Sequence, residues 1–169
     1  MNTGVYVVMG VAGSGKSLIG GALAHSLEVD FVDGDDLHSA RNIKRMASGT
    51  PLTDKDREAW LRAIAKKIEK AKKAGTGLVV ACSALKRSYR DVLRSAAPDA
   101  RFIFLNGPRE LIAERLANRG GHFMPPSLLE SQFAALEEPS PEEDAWVCDI
   151  IKSPEELIAD IAARITPPE

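Results

Sequence analysis

The sequence predicts an α/β fold in which a parallel sheet is wound with helices. Five short apolar runs of strand length alternate with segments of helical periodicity along the 169 residues. The first run, at positions 5–9, leads directly into an octapeptide of the form G-x-x-x-x-G-K-[ST] at positions 10–17, and a helical pattern begins at Lys16. There is no internal repeat and no interdomain linker, so we expect one domain over residues 1–169.

The octapeptide predicts a phosphate-binding loop. Its glycines allow backbone N–H groups to turn toward a phosphate, and the helix that follows adds the positive end of its dipole. Lys16 brings a charge to the β- and γ-phosphates, and the Ser17 hydroxyl is a ligand for Mg²⁺. The sequence thus predicts a site for ATP and Mg²⁺, with the nucleotide bound by Gly10, Ala12, Gly13, Ser14, Gly15, Lys16 and Ser17.

A second polar cluster follows the second predicted strand, residues 28–32. Asp33 and Asp35 come directly after this strand, and His38 lies a few residues further on. Ligands of open α/β sheets gather at the carboxyl ends of the strands, so these carboxylates are expected to face the phosphates. One of the two carboxylates would support Mg²⁺, and the other would orient or deprotonate a substrate hydroxyl.

Two helices are predicted next. Ser39 is a typical N-cap for a helix over residues 40–47. Thr53 opens a longer helix with a capping-box-like sequence, and this helix is predicted to end at Ala74, before Gly75. Arg57 lies in the first turn of the long helix, where a cation opposes the helix dipole. It is therefore either placed for an anion or an ordinary surface arginine.

The third predicted strand, residues 77–82, ends without the carboxylate that many P-loop proteins carry there, because Cys82 and Ser83 follow it. This absence favours Asp33 or Asp35 as the group that supports the metal. Lys86 and Arg90 are one helical turn apart in the next segment. Their spacing is consistent with recognition of a carboxylate or phosphate, or with a helix that carries surface charge.

A flap is predicted after the fourth strand, residues 101–105. Arg115 and Arg119 lie four residues apart on a helix that ends near residue 118, and paired glycines and prolines follow. This arrangement suggests a lid whose arginines reach the transferring phosphate on closure. His122 is either a substrate donor or part of a surface loop, and Gln132 lies on the next amphipathic helix, residues 127–136.

The remaining chain is predicted to contain a solvated acidic loop at residues 137–143 and a fifth strand at residues 145–151. A closing helix follows, with Ser153 as its N-cap, Pro154 at its first position and apolar residues at helical spacing over residues 157–165. The two cysteines, Cys82 and Cys148, end apolar runs without C-x-x-C spacing, so we expect buried, reduced thiols. The formal net charge of −2 argues against bulk nucleic-acid binding. No apolar run has the length of a membrane span, and we expect a cytoplasmic protein.

Several of these stretches together resemble gluconate kinase (gluconokinase). The resemblance covers nearly the whole chain in order, and its most specific parts are the D-G-D-x-L-H and C-S-A-L-K-R-x-Y-R sequences. It is carried by residues 10–17, 33–38, Asn42-Ile43 with Met46 and Gly49, 51–54 with Asp56-Arg57 and Trp60-Leu61, 82–87 with 89–91, 122–124 and 131–133. Ala12 and Ser39 depart from the residues frequent in that family, and neither removes a donor that the chemistry needs.

The resemblance implies ATP-dependent phosphorylation of the 6-hydroxyl of D-gluconate, with Mg²⁺. It implies a nucleoside-monophosphate-kinase-like fold with strand order 2-3-1-4-5, helices on both faces and a lid near residues 116–130. By analogy with related kinases, Asp33 supports Mg²⁺, Asp35 engages the acceptor hydroxyl, Arg115 lies near the adenine and Arg119 near the phosphates. A homodimer is also implied.

The sequence interpretation assigns catalysis to Lys16, Asp35 and Arg119. The residues expected to bind the sugar acid are Asp35, His38, Arg57, Ser83, Lys86, His122 and Gln132. The alternatives are a kinase for shikimate or another small hydroxy acid, and a regulatory module that binds nucleotide without catalysing transfer. A GTPase is disfavoured because the chain has no N-K-x-D motif.

Overall fold

The computed structural model describes residues 2–118 and 126–166. Within these residues five parallel strands form one sheet: β1 (Val5–Met9), β2 (Asp30–Asp33), β3 (Leu78–Ala81), β4 (Arg101–Asn106) and β5 (Trp146–Asp149). The strand order is β2-β3-β1-β4-β5, as predicted. Because β1 and β3 are adjacent central strands, the segments that follow them lie side by side at the carboxyl edge of the sheet.

Seven helices connect and cover the strands in the described part of the chain: α1 (Lys16–Leu27), α2 (Ala40–Ala47), α3 (Asp54–Ala74), α4 (Arg87–Ala96), α5 (Arg109–Ala117), α6 (Pro126–Ala135) and α7 (Pro154–Ile165). The predicted caps are present. Thr53 and Asp56 form a reciprocal capping box at α3, and Gly75 ends this helix in the left-handed region at φ 69°. The Ser39 and Ser153 side chains cap α2 and α7.

The core lies on both faces of the sheet, as expected for parallel strands covered by helices. On one face Val7, Val80 and Phe102 pack with α3 and α4. On the other face Val8, Val79 and Ile103 pack with α1 and α7. The alternation follows the two-residue period of a strand, so each central strand is buried on both sides.

The structure corrects some predicted boundaries. β2 begins at Asp30 rather than residue 28, because Glu28 takes a left-handed conformation at φ 57° and ends α1. β5 ends at Asp149 rather than at residue 151, whereas the closing helix has Ser153 as its N-cap and begins at Pro154, as predicted. The predicted solvated loop at residues 137–143 contains a short 3₁₀ helix, Pro141–Glu143, and the Glu143 side chain is only 1% exposed.

Cys82 and Cys148 are buried free thiols, as predicted. None of the helices in residues 2–118 and 126–166 combines the length and the apolar character needed to cross a membrane.

Candidate active site

The phosphate loop joins β1 to α1 with three glycines in conformations that other residues rarely adopt. Gly10, Gly13 and Gly15 have φ values of 152°, 80° and 100°. A Cβ at Gly13 would lie 2.6 Å from Leu116 Cγ, so the loop also packs too closely on α5 for a side chain there. Gly15 precedes α1 directly, and the loop therefore ends at the positive end of that helix.

Lys16 and Ser17, predicted to contact phosphate and metal, are the first two residues of α1. Lys16 Nζ donates to the Val11 carbonyl at 3.0 Å, within the loop itself. The Ser17 hydroxyl donates to Asp33 Oδ2 at 2.6 Å. The structure thus joins the residues predicted to hold Mg²⁺, although they are 16 positions apart in sequence.

Asp33 also organises the turn that carries Asp35. Asp33 Oδ1 accepts the Asp35 backbone N–H at 3.0 Å and caps the short 3₁₀ helix Gly34–Leu37. The Asp35 side chain is exposed. Asp33 therefore has one oxygen toward the phosphate-loop helix and the other toward the backbone of the proposed catalytic residue.

Cys82 directly follows β3, and its buried thiol lies near Lys16, Asp33 and Asp35. Burial raises the pKa of Cys82 to about 12, and its charged neighbours are Lys16, which lowers the pKa, and Asp35 and Asp33, which raise it. All three charges act on the same thiol, so they lie near the end of β3, where no carboxylate follows the strand. Cys82 itself remains a protonated thiol at neutral pH and is unsuited to nucleophilic chemistry.

A second group of side chains contains the cations predicted to bind the substrate carboxylate. Lys86 Nζ donates to Asp54 Oδ1 at 3.0 Å, and the Tyr89 hydroxyl donates to the same oxygen. Arg57 donates to the Leu52 carbonyl at 2.6 Å and to the Tyr89 hydroxyl at 3.3 Å. Arg57 and Lys86, which lie on different elements, therefore meet at Tyr89.

The charges in this group influence one another. Hydrogen bonds from Tyr89 and Lys86 lower the pKa of Asp54, and the hydrogen bond to Asp54 raises the pKa of Lys86. Asp54 and Lys86 therefore both stay charged at neutral pH. Lys86 is bonded to Asp54 in this structure, and the Arg57 guanidinium also bonds a backbone carbonyl.

His38 lies beside this group and is held in a fixed orientation. Its ring stacks on Trp60 with centroids 4.2 Å apart, and Nδ1 is 3.4 Å from Asn42 Nδ2. Trp60 donates in turn to the Gly34 carbonyl at 2.7 Å, in the turn between Asp33 and Asp35. Desolvation, together with the positive charge of Arg57, lowers the pKa of His38 to about 4. His38 is therefore neutral at pH 7.

We expect His38 to make folding stability depend on pH. Its pKa is about 4 in the folded chain and near 6.5 when unfolded, so the unfolded chain binds the extra proton between these values. Stability then falls as the pH is lowered through this window, by about 1 kcal/mol between pH 7 and pH 5 after allowance for partial exposure. Thermal unfolding of the parent and of His38→Gln at both pH values measures the difference; equal pH dependence in the two proteins would contradict it.

Ser83 and Gln132 both contact the phosphate loop. The Gly10 backbone N–H donates to the Ser83 carbonyl at 3.3 Å. Gln132 Oε1, on α6, accepts the Ala12 backbone N–H at 2.7 Å. A backbone N–H can only donate, so the amide oxygen of Gln132 must face the loop and its Nε2 group is turned away from it. Gln132 thus joins α6 to the nucleotide-binding loop.

Arg115 lines a cavity of about 410 Å³ next to the phosphate loop. Arg115 donates to the Ile150 carbonyl at 2.7 Å, which holds its planar guanidinium against the segment after β5. The volume is in the range of small-molecule sites. The cavity runs from the loop along α1 to the start of α7, and its lining includes Gly13, Ser14, Gly15, Leu18, Arg115 and Lys152.

Three side chains at the site were not singled out for a role by the sequence interpretation. Asp54 was interpreted as part of a capping sequence, and Asp54, Trp60 and Tyr89 as matches to the family. Lys86 is the N-cap of α4 and Tyr89 lies three residues further on, and this spacing was the available signal for Tyr89. Arg119 and His122 lie outside the described residues, as do all of residues 119–125 of the predicted lid.

Arg90 differs from Lys86 in its burial and in its partner. It is fully buried in an ion pair with Glu143, so neither an anion site nor a solvated surface charge describes it. In the residues described, no three His, Cys, Asp or Glu side chains converge as a metal-binding cluster. Ser17 and Asp33 nevertheless fit Mg²⁺, because this ion is usually held by one or two protein oxygens together with water and substrate phosphates.

Comparison with known proteins gives consistent matches. The family model described as an AAA domain matches residues 5–139. The thermosensitive gluconokinase of Escherichia coli (strain K12) is 49% identical over 139 residues, which are 82% of this chain and 74% of the relative. The thermoresistant gluconokinase of the same organism is 44% identical over 156 residues, 92% of this chain and 89% of the relative.

A solved structure agrees with these sequence matches. The crystal structure of a gluconokinase from Sinorhizobium meliloti 1021 superposes with a TM-score of 0.85 at 43% identity, and the match covers 96% of this chain and 95% of the other. The similarity therefore extends over the sheet, the phosphate loop and both polar clusters.

Proposed function

Because this chain belongs to the gluconokinase family, we propose that it transfers the γ-phosphoryl group of ATP to the 6-hydroxyl of D-gluconate, giving 6-phospho-D-gluconate and ADP. The observation that carries the proposal is that the phosphate loop and α1 contact the turn that holds Asp33 and Asp35. The cations Arg57 and Lys86 lie beyond this turn. This order matches the order of the reactants: nucleotide phosphates, acceptor hydroxyl and the carboxylate of a sugar acid.

The nucleotide is assigned to the loop and to the cavity beside it. The loop amides and Lys16 bind the β- and γ-phosphates, with Ser14 and Gly15 at the start of α1. The 410 Å³ cavity accepts the base, against the planar guanidinium of Arg115. Lys16 presently donates to Val11, so it exchanges a backbone oxygen for a phosphate oxygen when ATP binds. Arg119 completes the charge neutralisation from the lid.

Ser17 and Asp33 are the residues that would hold Mg²⁺. They are already in contact, with the hydroxyl donating to the carboxylate. The ion would supply positive charge to offset the charge that develops on the phosphates. Asp33 has a second task independent of the metal, because it fixes the backbone at Asp35.

Asp35 is the proposed base and orienting group for the acceptor. As the bond from the 6-oxygen to the γ-phosphorus forms, the bond from that phosphorus to the β,γ-bridging oxygen breaks and ADP leaves. The hydroxyl proton passes to the Asp35 carboxylate. Much of the rate enhancement in such transfers comes from alignment, and the hydrogen bond from the Asp35 backbone to Asp33 serves that purpose.

The cation group is assigned to the gluconate carboxylate. Arg57 and Lys86 provide charge-assisted donors next to Tyr89. Neutral His38, Ser83, Gln132 and His122 are assigned to the hydroxyls, which need hydrogen-bonding partners without net charge. Asp54 competes with the substrate carboxylate for Lys86, so we expect this contact to rearrange or loosen when gluconate binds.

The finer features of the proposal follow the family resemblance. We propose one kinase domain over residues 1–169 with a lid near residues 116–130, a homodimer, and a cytoplasmic location. The small net charge of −2 favours a small-molecule acceptor over a nucleic acid.

The test is a coupled assay of ADP release with D-gluconate, shikimate and AMP as acceptors. We expect kcat/KM for gluconate to exceed that for the other two by about 10³-fold or more, because a site built to bond several hydroxyls rejects acceptors that leave its groups unpaired. Equal, slow ATP hydrolysis with and without gluconate would instead support the regulatory module. A preference for shikimate would contradict the assignment of Arg57 and Lys86 to a linear sugar acid.

A further inference from the structure

Three consecutive carbonyls after β3 each accept a hydrogen bond from a different part of the protein. The Ser83 carbonyl accepts from Gly10 of the phosphate loop at 3.3 Å, and the Leu85 carbonyl accepts from the Glu137 backbone, just past α6, at 2.7 Å. Between them the Ala84 carbonyl accepts from Arg90 NH1 at 2.8 Å. The β3–α4 loop, residues 82–86, is therefore where the nucleotide loop, α4 and α6 meet.

The middle residue of this loop is held in an unfavourable conformation. Ala84 has φ 47°, in the left-handed region, and it is fully buried. A non-glycine residue costs roughly 1–2 kcal/mol there, so the conformation persists only where the surroundings impose it. The hydrogen bond from Arg90 to the Ala84 carbonyl is one of those constraints. It acts on the same loop that carries Ser83, directly before Ala84, and Lys86, two residues after it.

Arg90 is itself fixed by a buried carboxylate. Its side chain is 0% exposed and that of Glu143 is 1% exposed, with Nε to Oε1 at 2.6 Å and NH2 to Oε2 at 3.1 Å. Glu143 also accepts from Arg94 NH2 at 2.6 Å and from the Ser140 backbone at 2.8 Å. Burial alone would raise the pKa of Glu143, but hydrogen bonds from Arg90, Ser140 and Arg94 outweigh it and lower the pKa to about 2.

Stability alone does not account for this pair. A buried ion pair pays a large desolvation cost and is often no better for stability than apolar residues of the same volume. Apolar side chains could not donate a hydrogen bond to the Ala84 carbonyl, as Arg90 does. Arg90 donates to Glu143 through Nε and one terminal nitrogen, and to the Ala84 carbonyl through the other terminal nitrogen. The ion pair therefore fixes the position of the β3–α4 loop relative to the 3₁₀ helix at residues 141–143.

We infer that Arg90, locked by Glu143, is a positioning residue that sets the β3–α4 loop so that Ser83 and Lys86 meet the acceptor substrate. The inference deepens the proposed function and rests on it, because it takes gluconate as the ligand of Ser83 and Lys86. Arg90 acts through the Ala84 carbonyl and touches neither reactant.

Arg90→Lys tests the inference, with Arg94→Lys as the matched control. Lysine keeps the charge but cannot bond Glu143 twice and Ala84 at once. We expect KM for gluconate to rise about 10- to 100-fold, as for a misplaced binding group, with KM for ATP within about threefold of wild type. Arg94 bonds the same carboxylate but its other bond goes to Asp91, away from the loop. Arg94→Lys is expected to keep both KM values.

A purely structural role would give a different result. Loss of folded protein lowers the apparent kcat of Arg90→Lys and leaves both KM values unchanged, and this outcome would overturn the inference. An equal rise in KM for gluconate in Arg94→Lys would also overturn it, since it would assign the effect to the carboxylate cluster rather than to the loop contact.

If Arg90→Lys cannot be recovered folded, Glu137→Ala decides. Glu137 is exposed, and its Oε1 accepts the Arg87 backbone N–H at 2.9 Å at the opposite end of the same loop. We expect KM for gluconate to rise about threefold or more, which corresponds to the lower end of the net contribution of one hydrogen bond, while KM for ATP stays unchanged. An unchanged KM for gluconate contradicts the inference. Failure of the proposed function is separate, because wild-type enzyme would then show no gluconate-dependent turnover.

Discussion

Replacing Asp35 with asparagine is expected to lower kcat by about 10²- to 10⁴-fold, the usual contribution of a positioned acid or base. Asparagine retains the size of the side chain and can still contact a hydroxyl, but it cannot accept the proton. The backbone N–H of residue 35 keeps its bond to Asp33, so the turn remains in place. KM for ATP is therefore expected to stay within about threefold of wild type.

Asp36→Asn is the matched control for this variant. Asp36 is the next residue in the same short 3₁₀ helix, it is exposed, and it has the same charge. We expect its kcat to remain near that of wild type, which separates the specific role of Asp35 from a general loss of negative charge at the turn. Steady-state kinetics with saturating gluconate gives both values, and a near-normal kcat for Asp35→Asn would remove Asp35 from the mechanism.

Replacing Lys16 with methionine is expected to lower kcat by about 10²- to 10³-fold, the scale of one lost electrostatic donor in a preorganised site. Methionine keeps the length and packing of the aliphatic stem. The loop amides and the glycine conformations remain, so the variant is expected to fold and to bind ATP, although more weakly. Calorimetric titration with ATP and a single-turnover assay separate the loss in binding from the loss in transfer.

Lys66→Met is the control for Lys16→Met. Lys66 is exposed on α3, remote from the phosphate loop, and its replacement removes the same charge from the protein. We expect unchanged ATP binding and turnover. If Lys16→Met also kept its turnover, charge neutralisation at the phosphates would have to come from other groups, and the assignment of the loop would need revision.

The local elements of this fold were determined by the sequence. The glycine spacing of residues 10–17, the caps at Ser39, Thr53 and Gly75, and the apolar runs each depend on a few neighbouring residues, and the structure has the expected strands and helices within a few positions. The resemblance to gluconate kinase added the strand order. Asp33 was predicted to work with Ser17, and the structure has them in contact.

Only the tertiary structure decided which charges are buried and which side chains meet across the chain. Arg90 and Glu143 are 53 residues apart, and no local pattern distinguishes a buried ion pair from two surface charges. The contacts of Tyr89 with Asp54 and of Gln132 with Ala12 join residues that are 35 and 120 positions apart. Spacing along a helix or strand fixes which face a residue occupies, but the sheet's crossover connections determine what that face meets. The burial of Arg90, and with it the geometry of the β3–α4 loop, follows from that packing.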